Sequence, residues 1–280
     1  MSVRSRHRAR RNPLVTRGPG AFKVRWPIVV IGAGLIVVAI GLASREKIMQ
    51  TFSDLKIKEI LKRYAGIPFS SVPLADRPPS IVKVMPAMSA KEQQFLAGTP
   101  INQIFDIGTL YKMNPDTVQA RSVARIADTP AEFIAKVKGP AIAAIGKYPQ
   151  LGIDPRILVA QAAHEGGWGK SAVGGTNIFG HIATPNWSSA GGKYSYASTF
   201  EVVNGKEVPA YRPFRMYDSL DEAFRAHAAI LSASRYSGAR GISDPYTWGY
   251  TIAKSGYATA NPEKYGKAVQ GTYSTVVQNW

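Results

Sequence analysis

Residues 160–171 read AQAAHEGGWGKS, and the meaning of that stretch decides the rest of the chain. Ahead of it, Asp154-Pro155 marks a helix start, with the aspartate as cap and proline at the first helical position. RILVAQAAHE then continues as an apolar helix until Gly166, Gly167 and Gly169 stop it. Glu165 thus ends a helix on the face that also carries Leu158, Gln161 and Ala162. A carboxylate held against such a face beside Trp168 loses hydration, which favours its protonated form. A general acid working near neutral pH needs that property. The glycines leave the backbone open to a bulky substrate. In isolation, a glutamate that simply closes a helix before a glycine cap has the same appearance. Trp168 and the downstream segments move the reading to an acid.

Two other chemistries fail on the same residues. HExxH requires a second histidine where Trp168 stands, and the chain has no cysteine, so no zinc site is expected. A phosphate-binding loop requires its first glycine at His164 or Ala163. No metal and no cofactor is expected.

Glycoside hydrolysis commonly uses a second carboxylate. Asn204-Gly205 between two strand-like runs signals a hairpin, which places Glu201 on a strand shortly before the turn. An exposed strand glutamate is the ordinary alternative, with Glu207, Asp218 and Glu222 as other acids nearby. Ser219 with Glu222 three residues on starts a helix that turns Leu220, Phe224, His227, Ala228 and Leu231 inward. A last helix over 262–277 packs on the same core. Trp168, Trp187, Tyr194 and Trp248 are aromatic candidates for stacking on sugar faces.

AQAAHEGGWGKS, TNIFG, TFEVVNG, FRMYDSLDEAFRAHAAIL and SGYATANPEKY occur in this order. Together they closely resemble the flagellar-rod-type N-acetylglucosaminidase domain, glycoside hydrolase family seventy-three, from about residue 130 to the end. The resemblance implies a mainly α, lysozyme-like α+β fold with a small β-hairpin lobe. It also implies hydrolysis of the β-1,4 bond between N-acetylglucosamine and N-acetylmuramic acid in peptidoglycan. By this match Glu165 is the catalytic acid, Glu201 the base or water-activating group, and Tyr257 an active-site tyrosine. Trp168, Asn177, Phe179 and Gly180 fall on substrate-groove positions. Two residues depart from the family pattern: Gly166 replaces a hydroxyl residue, and His181 stands where a small apolar residue is usual. Inversion or a substrate-assisted route is the expected stereochemical course. A lytic transglycosylase and a non-catalytic peptidoglycan-docking module of an envelope machine or phage particle are the alternatives.

The N-terminal half carries little chemistry. The chain of 280 residues has a net charge of +17, and residues 1–50 hold ten Arg and Lys against Glu46 alone. Eight of those cations precede WPIVVIGAGLIVVAIGLAS, residues 26–44, an uncharged run of membrane-spanning length. The reading is a basic cytoplasmic arm over 1–25 and a transmembrane signal anchor over 26–44, with the remainder exported to the periplasm or cell wall; a cleaved signal peptide is the rival. The arm lacks interleaved aromatics, so nucleic acid is not an expected partner. Residues 45–65 have helical apolar spacing. The prolines at 68, 73, 78, 79 and 86 oppose helix and strand. Residues 45–128 are accordingly read as a juxtamembrane helix and proline-rich spacer with a short helix at 90–97, and residues 129–280 as the glucosaminidase domain. The expected partners are peptidoglycan strands, the membrane, and an envelope or virion assembly.

Overall fold

A computed structural model of the chain describes residues 28–31, 34–37, 42–104, 107–170, 172–203, 206–258 and 261–280. The basic arm, Trp26 and the turn residues Asn204 and Gly205 lie outside them.

Where the sequence suggests a membrane-spanning helix, the described residues form two antiparallel strands, β1 (Ile28–Ile31) and β2 (Gly34–Val37), with Ile28 opposite Val37. The run is rich in valine and isoleucine, which favour strands, and an unbroken apolar run carries no period that separates helix from strand. Among the described residues no helix is long and apolar enough to cross a membrane. Helix α1 (Leu42–Arg63) follows. The chain divides into two units, 1–55 and 56–280, and the second carries all that follows.

Residues 66–88 correct the expectation of a proline-rich spacer without helix, whereas the short helix expected at 90–97 is present as Ala90–Gly98. Together residues 66–128 are folded. They fold into 3-10 turns, α2 (Pro79–Val84), α3 (Ala90–Gly98), α4 (Ile107–Lys112) and the short strand β3 (Val123–Ala124). The prolines open turns and helices, where a missing N–H costs nothing; Pro79, for example, occupies the first turn of α2. Ser89 and Glu92 cap α3 reciprocally, through bonds of 3.3 and 3.1 Å. Phe69, Val72, Ile81, Leu96, Ile101 and Leu110, which the prolines separate in sequence, are buried in one apolar cluster.

The second cluster is helical. Thr129 caps α5 (Pro130–Lys147), which runs on through Pro140 rather than breaking at Gly139-Pro140. Val137, Ala141 and Ala144 are buried on either side of the proline, and this packing keeps the helix whole. Asp154 caps α6 (Pro155–Glu165), whose residues 157–163 are all buried. A helix apolar on every side belongs at the centre of a core. Next come β4 (Ala172–Val173), paired with β3, then α7 (Pro185–Ser189), β5 (Tyr194–Val203), β6 (Lys206–Arg215), α8 (Leu220–Leu231), α9 (Pro245–Lys254) and α10 (Pro262–Gln278). Helix α10 packs on α6 and α9, and α5 packs on α6 and α8. The mainly helical body with a small β-hairpin is the architecture expected for this half of the chain.

β5 and β6 pair from Tyr194–Arg215 to Val203–Lys206. The hairpin base is gripped by the proline-rich segment. Tyr194, Tyr196 and Tyr211 are buried in the first cluster, and Ser80 Oγ lies 2.7 Å from the Tyr196 hydroxyl. Further along β5, Phe200 is 68% exposed. Removing residues 56–128 uncovers three tyrosines, so a 129–280 fragment should unfold at lower urea than 56–280 and bind a hydrophobic dye. In the full chain Tyr196→Phe should cost about 1 kcal/mol in chemical denaturation, the worth of one buried hydrogen bond.

Candidate active site

Helix α6 fixes where Glu165 stands, and the turn after it fixes what can approach. Gly167, Trp168 and Gly169 all have left-handed backbone, with φ of 54°, 60° and 75°. The Trp168 N–H donates to the Ala163 carbonyl at 3.0 Å, closing the helix end. Trp168 itself packs edge-on against Phe133, ring centroids 6.0 Å apart. It steadies the turn and does not line the cleft, contrary to its expected place in the substrate groove.

Glu165 opens onto a cleft of about 640 Å³, lined also by Phe179, Gly180, His181, Thr199, Arg212, Phe214, Arg215, Arg235, Tyr257 and Tyr265. The glutamate is exposed to this cleft by surface area, yet protein crowds its carboxyl enough for desolvation to dominate. Burial raises its pKa above the ordinary carboxylate range, against a lowering by the Tyr265 hydrogen bond and by His164. The Tyr265 hydroxyl donates to Glu165 Oε1 at 2.6 Å. Tyr265 comes from α10, one hundred residues away in sequence, and the sequence reading passed over it. Its only signal was its place in the SGYATANPEKY segment.

Tyr257 lies beside the acid, its ring 6.1 Å from that of Tyr265. Burial, and then the Glu165 charge, push its hydroxyl pKa up, so it remains a neutral donor. Phe179 lines the cleft with its ring stacked on His227 at 3.8 Å, and Gly180 supplies open backbone at φ 63°. Asn177 does other work than binding substrate. It is buried, its Oδ1 accepts the His181 N–H at 2.9 Å, and its Nδ2 donates to the His181 and Arg215 carbonyls, both at 2.9 Å. It therefore pins the groove loop to β6. The remaining aromatic candidates are also structural. Trp248 and Tyr194 are buried in the two clusters, and Trp187 donates from Nε1 to the Lys193 carbonyl.

For Glu201 the ladder gives the position. Residue 201 pairs with Val208, and alternation puts it on the strand face shared with positions 199, 212 and 214. Thr199, Arg212 and Phe214 line the cleft, so position 201 is on the cleft face near the hairpin end. Glu207 is one residue out of phase, on the opposite face. Asp218 pairs with Lys193 at 2.9 Å, and Glu222 accepts the Asp218 N–H while its own N–H bonds the Ser219 cap. Among the described residues no group of three or more His, Asp or Glu side chains is placed to hold a metal ion.

Residues 141–277 match the glucosaminidase family model, described as mannosyl-glycoprotein endo-beta-N-acetylglucosaminidase. The chain is 34% identical to the peptidoglycan hydrolase FlgJ of Pseudomonas aeruginosa over 164 residues, 56% of this chain and 38% of that protein. Against the peptidoglycan hydrolase FlgJ of Salmonella typhimurium it is 30% identical over 135 residues, 46% of this chain and 41% of the other. The chain thus spans about two-fifths of the length of these curated relatives. A crystal structure of a peptidoglycan hydrolase mutant from Sphingomonas sp. A1 aligns over 53% of this chain and 97% of that one, at 30% identity and a TM-score of 0.48. Residues 141–277, just under half of the chain, are thus similar to the glucosaminidase family.

Proposed function

We propose that the chain is a peptidoglycan hydrolase, an endo-β-N-acetylglucosaminidase of lysozyme-like architecture. It cleaves the β-1,4 bond between N-acetylglucosamine and N-acetylmuramic acid. The observation that carries this reading is Glu165: a carboxyl with raised proton affinity, fixed at the end of a buried helix and open to a cleft of about 640 Å³. Glu165 donates its proton to the leaving glycosidic oxygen. Glu201, on the cleft face of β5, activates the attacking water, and Tyr257 offers a neutral hydroxyl to the sugar or the reacting centre. Phe179 and Gly180 shape the floor. Arg212, Arg215 and Arg235 line the same cleft and suit a glycan bearing lactyl and peptide carboxylates. Peptidoglycan strands are therefore the partner. The basic arm and the uncharged run at 26–44 support delivery of this domain beyond a membrane, to the periplasm or cell wall. Residues 129–280 carry the activity, and residues 56–128 brace its hairpin.

Full-length protein incubated with purified peptidoglycan should release products with new reducing N-acetylglucosamine ends, read by mass spectrometry. Anhydro-muramyl ends would instead mark a transglycosylase, and no product a docking module. Glu165→Gln should lower kcat about 10²–10⁴-fold. The same substitution should not weaken the fold at neutral pH. A carboxyl whose folded pKa lies above its unfolded value loses stability as pH rises from one to the other, and the amide does not ionise. Thermal unfolding at pH 5 and pH 8 checks this: the wild-type midpoint should fall relative to the variant at the higher pH. Activity should decline on the alkaline side as Glu165 deprotonates.

A further inference from the structure

Behind the acid lie two buried imidazoles that hydrolysis does not use directly. The Tyr217 hydroxyl is 2.7 Å from His181 Nδ1, and His181 Nε2 is 3.0 Å from His227 Nδ1. His227 Nε2 lies 2.7 Å from Gln161 Oε1, and Gln161 Nε2 donates to the Tyr265 hydroxyl at 3.0 Å. Tyr265 then donates to Glu165 at 2.6 Å. The five contacts form one continuous file from Tyr217, just after β6, through His181 in the groove loop, α8, α6 and α10 to the carboxyl.

The carboxyl end sets its direction. Glu165 accepts from Tyr265, Tyr265 accepts the Gln161 amide N–H, and the Gln161 carbonyl accepts from His227 Nε2, so the file closes with the Tyr217 proton directed to His181 Nδ1. A neutral imidazole that accepts on one nitrogen donates from the other. His181 is thereby fixed as its Nε2–H form, and His227 after it. His227 in turn holds the Gln161 carbonyl, which leaves the amide N–H for Tyr265. The only proton left to Tyr265 is its own, and it goes to Glu165. Burial keeps both imidazoles neutral: His181 is pushed down to about 3, with Arg215 adding to the effect, and His227 is also lowered.

We propose that Tyr217, His181, His227 and Gln161 are positioning residues for Glu165. They hold the Tyr265 proton on Oε1, so that Oε2 alone carries the acidic proton toward the scissile bond. This rests on Glu165 being the acid of the proposed reaction. It also gives His181, a departure from the family pattern, a role in that acid's proton affinity. The groups facing Glu165 are His164 on its own helix, Tyr265 on α10 and Tyr257 after α9, with Arg212, Arg215 and Arg235 across the cleft. His181 is faced by Arg215, Tyr217 and His227, and His227 by Gln161, Tyr257 and His181.

The test is imidazole nitrogen NMR on the full-length protein, which requires no turnover. Both His181 and His227 should be neutral Nε2–H tautomers from pH 5 to 8. An Nδ1–H tautomer or an imidazolium at either residue in that range overturns the proposal. If the tautomers are as expected and no glycan is cleaved, the file stands and only the catalytic reading falls. In active protein, His181→Leu frees His227 to reverse, so Tyr265 turns to Gln161 and Glu165 loses its donor. The alkaline limb of the kcat/KM profile should then move up by about one pH unit. His181→Gln, which can both accept and donate, should restore it. A folded His181→Leu protein with an unmoved limb also overturns the proposal.

Discussion

Two opposed effects meet on one carboxyl, and the site depends on their balance. Crowding by protein disfavours the Glu165 anion. The Tyr265 hydrogen bond favours the anion. Burial is the larger of the two here, so the net shift is upward. Crowding alone would leave a carboxyl reluctant to release its proton. The hydrogen bond alone would leave it ionised and unable to give one. A group carrying both holds its proton more firmly than an ordinary carboxyl and tolerates the charge left once the proton has gone.

This balance requires a fixed backbone. Helix α6 is buried from residue 157 to residue 163, so its end does not wander. The turn beyond it is tightly packed at two points. A Cβ on Gly166 would lie 3.1 Å from the carbonyl oxygens of Ala162 and Ile178, and one on Gly169 would lie 2.8 Å from the Phe133 ring. Trp168 holds a left-handed conformation, uncommon for a bulky side chain, and its contact with Phe133 keeps it there. Asn177 performs the same service on the opposite wall, tying the groove loop to β6.

Much of this was readable from local signals. The caps Asp154 and Ser219, the end of α6 at Glu165 and the hairpin around Asn204-Gly205 each depend on a few adjacent residues. The period-2 rule even gives the face of position 201. What stayed hidden depends on residues distant in sequence. Nothing near Tyr265 marks it as the partner of a glutamate one hundred positions earlier. His181 and His227 looked like a departure and a packing residue because their meaning lies in each other and in Gln161. The aromatic candidates misled for a related reason. Tryptophan and tyrosine suit sugar faces and cores equally, and burial separates the two uses. The proline-rich segment was misjudged because proline opposes the inside of a helix but favours its first turn. Its scattered apolar residues found a common core only with Tyr194, Tyr196 and Tyr211 supplied from elsewhere. The β-branched run near the N-terminus shows the limit of hydropathy: length and lack of charge do not choose between helix and strands.

The most direct measurement is a titration of the Glu165 side-chain carboxyl by carbon NMR in the full-length protein, assigned by its loss in Glu165→Gln. The account expects a midpoint above the ordinary glutamate range, moving higher still in Tyr265→Phe. A midpoint at or below that range, or one indifferent to removal of the Tyr265 hydroxyl, would contradict it.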